Sequence, residues 1–126
     1  MKKPALISLC FTGCPCRYHA RPVASPRKIE KLSKEYYLIP VCPEQMGGLP
    51  TPRPAAPLCN KIDGRIFNVC GEEVTNAFRD GAQRTLEIAQ LFNCQDAFLC
   101  KNSPSCDKMG FTGELLEENG VRVTNL

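Results

Sequence analysis

Apolar residues fall along this chain in three short runs and one long amphipathic stretch, separated by segments rich in proline, glycine and charge. Ala5-Leu6-Ile7-Ser8-Leu9 is almost uniformly apolar, so residues 4–10 read as a strand buried on both faces, as in a parallel sheet. Ser25 to Glu35 reads as a short polar helix, with Ser25 suited to the cap and Pro26 to the first helical position. Tyr36 to Val41 is a second strand. Pro43 to Pro57 carries five prolines and two adjacent glycines, which argues against a helix or a central strand there and predicts a fixed, extended loop. Arg65 to Cys70 is a weak strand or hairpin arm.

The strongest periodic signal runs from Thr75 to about Asn93. Val74, Phe78, Ala82, Leu86, Ala89 and Phe92 recur at three- and four-residue spacing and form one helical stripe, with Thr75 as the N-cap. Gly81 interrupts that helix at a cost of about 1 kcal/mol against alanine, which predicts close packing at this point. The stripe is expected on the sheet, away from any chemistry. Ala97 to Lys101 reads as a third strand, Thr112 to Asn119 as a helix ended by Gly120, and Val121-Arg122-Val123 as a last strand. The order predicts one α/β domain over residues 1–126, Rossmann-like, with a small, mainly parallel sheet flanked by helices.

Cysteine placement changes this picture from a fold to a site. Cys10 closes the first run, Cys42 the second, and Cys106 follows the third after a short turn, in Ser103-Pro104-Ser105-Cys106. If the strands are parallel neighbours, these three thiols meet at the carboxyl edge of the sheet, where ligands bind in open α/β sheets. Three converging thiolates suggest a metal centre with one position open for chemistry, although free cysteine is also often a small buried apolar residue.

The chain has nine cysteines, and no secretory signal precedes the first strand, so a reducing cytoplasm is the expected compartment. No apolar stretch approaches the roughly 20 residues of a membrane helix. A net charge of +3 is too mild to point to nucleic acid, and no basic run exceeds three residues; a small-molecule ligand is the expected partner.

With these residues laid out, the chain resembles the DUF523 family, whose characterised branch is the thiouracil desulfurases. The resemblance rests on Ser8-Leu9-Cys10 with Cys16-Arg17-Tyr18 beyond it, on Ile39-Pro40-Val41-Cys42-Pro43-Glu44 and on Gly47 to Pro54. It extends through Val74-Thr75, Phe78, Gly81-Ala82, Lys101 to Cys106, Phe111-Thr112-Gly113 and Asn119-Gly120-Val121, almost the whole chain. It implies a [4Fe-4S] cluster on Cys10, Cys42 and Cys106 and removal of sulfur from a thiolated pyrimidine, with Glu44 and Ser103 as catalytic residues. Asp107 departs from the glycine that commonly follows the last cysteine, and the Cys106–Gly113 stretch is shorter than usual.

Each residue has a plainer reading beside this one. A partly dehydrated Glu44 beside an anionic centre suits proton transfer with an attacking water, but it could be a surface carboxylate at a loop start. Ser103 could bond substrate or water, or cap the turn. Arg53 and Ser105 are expected to contact substrate, though Arg53 could equally pair with a structural carboxylate. Cys14 and Cys16 compete as ligands or as a sulfur relay. Cys59, Cys70, Cys94 and Cys100 read as core or surface thiols, with Cys100 pointing into packing, and His19 is assigned no role. The rival to an enzyme is a non-catalytic cysteine-rich metal-binding or sulfur-carrier protein.

Overall fold

The apolar first run becomes an inner strand. In the computed structural model, which describes residues 1–126, β1 spans Lys3–Ser8, and its consecutive Ala5, Leu6 and Ile7 are all buried, as covering on both faces requires. A 3-10 turn over Leu9–Thr12 follows, then α1 (Pro26–Ser33), β2 (Tyr36–Val41) and α2 (Pro43–Met46). After a second 3-10 turn at Leu58–Asn60 come β3 (Lys61–Ile62), β4 (Arg65–Ile66), α3 (Thr75–Leu91), β5 (Asp96–Leu99), α4 (Phe111–Glu118) and β6 (Arg122–Asn125).

Four strands form one sheet in the order β2-β1-β5-β6, and every neighbouring pair is parallel. The fold is thus α/β, a small parallel sheet flanked by helices. Ser8 pairs with Val41 and Ile7 with Phe98, so β1, β2 and β5 release the chain at nearly the same level of the carboxyl edge. The chain passes from β2 across β1 to β5, which makes β1 the switch point of the topology and the adjoining crevice the natural ligand position. β3 and β4 form a separate two-stranded antiparallel hairpin, the arm expected near Arg65. One core unites Leu6, Ile7, Val41, Ala97, Leu99 and Val123 of the sheet with Leu86 and Ala89 of α3 and Leu116 of α4.

Several details differ from the sequence reading. Pro43 to Pro57 does contain a helix, the single turn α2 with Pro43 at its start, because a proline at the first helical position gives up an N–H that would be unpaired there anyway. Thr75 is not the cap of α3 but its first residue; its hydroxyl accepts the Ile66 N–H at 3.0 Å and donates to Glu73 at 2.8 Å. Phe92 lies beyond the end of α3 and is half exposed, so the apolar stripe ends at Ala89.

α3 also does not stand apart from the carboxyl edge. Its Gly81 faces Gly47 and the Pro43 carbonyl, where a Cβ would lie 1.9 Å from the oxygen. Gly47 returns the fit, since a Cβ there would lie 2.0 Å from the Ala77 carbonyl oxygen. Two missing side chains therefore let α3 brace α2, the turn that directly follows Cys42.

Candidate active site

Beyond the carboxyl ends of β1, β2 and β5 lies a cavity of about 190 Å³. Cys10 reaches it from the 3-10 turn after β1, Cys42 from the position capping α2, and Cys106 from the turn after β5. Arg53 and Ala55 to Pro57 of the proline-rich loop form another wall. The three strand-end thiols are thus brought to one space, as the parallel order requires.

Two further thiols share it. Cys16 is buried against the core, and Cys100 lies with its Sγ 3.1 Å from that of Cys10. The Cys100 contact holds the proton on Cys10 and pushes that thiol up to about 12, while the same contact lowers Cys100. The hydrogen bond to Cys16 raises Cys42, and full burial raises Cys106. Ser8 and Ser105 hydroxyls each approach the Cys106 sulfur at 3.8 Å. The thiols form a linked set: Cys10 is within hydrogen-bond reach of Cys100 and Cys16, Cys16 of Cys42, and Cys106 lines the same cavity. Soft thiolates set around a cavity suit a polynuclear iron–sulfur centre, whose ligands bind different irons.

Beside the thiols sits an ordered carboxylate. Arg53 Nε donates to Glu44 Oε1 at 3.0 Å, and the Ser105 hydroxyl donates to Oε2 at 3.1 Å. The Arg53 side chain is only 4% exposed, and its Nη1 is tied to the Pro50 carbonyl and the Thr51 hydroxyl, so the ion pair is held from the loop side. Glu44 is therefore no surface carboxylate, and Arg53 pairs with it; only the Arg53 Nη2 makes no protein hydrogen bond and is free to meet a ligand. Ser103 lines the cavity and caps its turn. Its oxygen accepts the N–H groups of Ser105 and Cys106, capping the turn, and lies 3.1 Å from the Ser105 hydroxyl.

Asp107 closes that turn from the other side. Its carboxylate accepts the Asn102 and Met109 N–H groups, and Asn125 Nδ2 donates to the Cys106 carbonyl at 3.0 Å. The departure from glycine thus pins the shortened segment that carries Cys106.

Sequence reasoning missed Cys100. Cys100 does pack in the core as expected, but the third strand was expected to run through Lys101, whereas β5 ends at Leu99 and Cys100 also lines the cavity. The rule that singled out the other strand-end thiols applies to it equally. Arg17 and Tyr18 line the cavity, whereas Cys14, Cys59, Cys70, Cys94 and His19 do not.

The sequence matches the 2-thiouracil desulfurase family over residues 5–125. The uncharacterized protein YbbK of Bacillus subtilis (strain 168) is 34% identical over 140 residues, covering 94% of this chain and 92% of that protein. Among solved structures, the [4Fe-4S]-dependent thiouracil desulfidase TudS superposes with a TM-score of 0.85 at 27% identity, covering 98% of this chain and 91% of its own.

Proposed function

The chain belongs to the 2-thiouracil desulfurase family, and from that membership and the thiol-lined cavity we propose that it is a non-redox [4Fe-4S]-dependent desulfurase. Its substrate is a small thiolated pyrimidine such as 2-thiouracil, and its products are a uracil-like base and hydrosulfide. Cys10, Cys42 and Cys106 would hold the cluster, and the reducing cytoplasm is the compartment in which nine free thiols persist. When bound, such a cluster would supply a Lewis acid for a soft thiocarbonyl sulfur.

The chain's own residues do the rest. Water adds at the carbon that bears sulfur and Glu44 takes one of its protons; the adduct then re-forms the carbonyl as the C–S bond breaks, and sulfur leaves as hydrosulfide with the second proton. Arg53 and Ser105, one on each carboxylate oxygen, keep Glu44 in a single orientation, so little reorganisation is needed when the proton moves. Ser103 holds the Ser105 hydroxyl toward Glu44 and fixes the turn of Cys106. The free Arg53 Nη2 meets the ring oxygen that is not exchanged.

The observation that carries this reading is the meeting of three strand-end thiols beside a carboxylate already held on both oxygens. Anaerobic purification with iron counting, absorption spectroscopy and turnover of 2-thiouracil tests it. A brown protein with about four irons that releases uracil supports the proposal. A colourless, inactive protein carrying one zinc would instead make the chain a metal carrier.

A further inference from the structure

Cys100 is unused by the chemistry above, yet its sulfur lies directly against that of Cys10. The two residues sit just past the ends of adjacent parallel strands; extending the Ile7–Phe98 register sets Cys100 opposite Leu9, one residue before Cys10. A strand spacing of about 4.8 Å with a one-residue offset of about 3.3 Å gives roughly 6 Å, within the roughly 4.4–6.8 Å between Cα atoms that a disulfide spans. Their sulfurs are 3.1 Å apart, about 1 Å longer than a bond, a gap that side-chain rotation closes. The Ser8 hydroxyl accepts the Cys100 N–H at 2.9 Å and fixes the backbone on one side of the pair. Both thiols line the cavity, whose rim includes the exposed Tyr18 and Asn102, so a small oxidant has a path to them.

We propose that Cys10 and Cys100 form a redox modification site, an oxidisable pair that closes to a disulfide under peroxide when no cluster occupies the cavity. One thiol attacks hydrogen peroxide to give a sulfenic acid and water. The other attacks that sulfur, forming the S–S bond and expelling a second water. Two thiols are oxidised and one peroxide is reduced. The pairing stops Cys10 from passing to the sulfinic acid, and it withholds one ligand from a new cluster until a dithiol reduces it. This last consequence rests on the proposed ligand role of Cys10; the bond itself does not.

The test uses the full chain, freed of metal by a chelator under reducing conditions and checked for fold by circular dichroism. Brief hydrogen peroxide treatment, alkylation and mass spectrometry should show loss of two of the nine alkylatable thiols and a peptide linking Cys10 to Cys100. Dithiothreitol should restore all nine. C100S should keep Cys10 alkylatable at short exposure and convert it to sulfinic acid at long exposure. Linkage of Cys10 to Cys16 or Cys42, or nine thiols left after treatment, overturns the proposal; if C100S fails to fold, the wild-type peptide map alone decides. Iron uptake, which should be lost on oxidation and regained on reduction, is read separately. A linked pair in a protein that never binds iron would refute the proposed function and leave the redox pair standing.

Discussion

Replacing Gly81 with alanine tests whether α3 holds the active-site turn. The new Cβ would stand 1.9 Å from the Pro43 carbonyl oxygen and 2.8 Å from its carbon. A methyl carbon rests about 3.4 Å from such an oxygen, so the two backbones must part by roughly 1.5 Å. Neither neighbour is a flexible side chain, and we expect the upper part of the overpacking range, about 3 kcal/mol. Alanine returns about 1 kcal/mol through helix propensity, leaving a net loss of about 2 kcal/mol. For a chain of this length that lowers Tm by roughly 8 °C. Because Pro43 lies between Cys42 and Glu44, a shift on the order of 1 Å should also cost about 10²-fold in turnover. Thermal melts by circular dichroism, with D80A as an exposed control on the same helix, supply the measurement. A G81A protein that melts at or above the wild type would show that propensity dominates and that the contact with α2 is not tight.

The remaining predictions concern the site and one surface pair. C10A, C42A and C106A should each abolish stable iron loading after anaerobic reconstitution, whereas C59A and C94A should not; full iron and sulfide in C106A removes it from the ligand set. E44Q should retain iron but lose about 10²–10⁴-fold in kcat on 2-thiouracil, and near-normal kcat takes Glu44 out of the mechanism. R53M should likewise keep iron and lose kcat, since the carboxylate loses its partner at Oε1; an iron-free R53M protein would instead make Arg53 a structural residue. On the surface, the Arg65 guanidinium and then the Thr75 hydroxyl hold the Glu73 carboxyl down at about 2. The folded-state value is the lower one, so this pair's support is present above 4.5 and fades as pH falls toward 2. NMR titration should show that midpoint in the wild type and a rise in R65A; a wild-type midpoint near 4.5 refutes the pairing.

The periodic pattern determined much of this protein by itself. The strands Lys3–Ser8 and Tyr36–Val41 and the long helix from Thr75 follow from local chemistry, since short apolar runs favour strands and a three-to-four spacing favours a helix face; the first strand ends two residues before the expected Cys10, where Leu9–Thr12 turns as a 3-10 helix. Parallel order then carried Cys10, Cys42 and Cys106 to one edge, because a parallel sheet has all its strand ends of one kind on the same side. Family membership was legible in contiguous strings around Cys42 and Cys106. What the sequence left open were contacts between distant segments that no local pattern encodes. Glu44 could be read as a surface carboxylate until Arg53 and Ser105 stood on its two oxygens. Gly81 announced a close approach without naming Pro43 and Gly47 as its partners. Cys100 packs in the core yet also reaches the cavity because β5 stops one residue before it, and strand ends are set by pairing with β1 and β6 rather than by the side chains of β5.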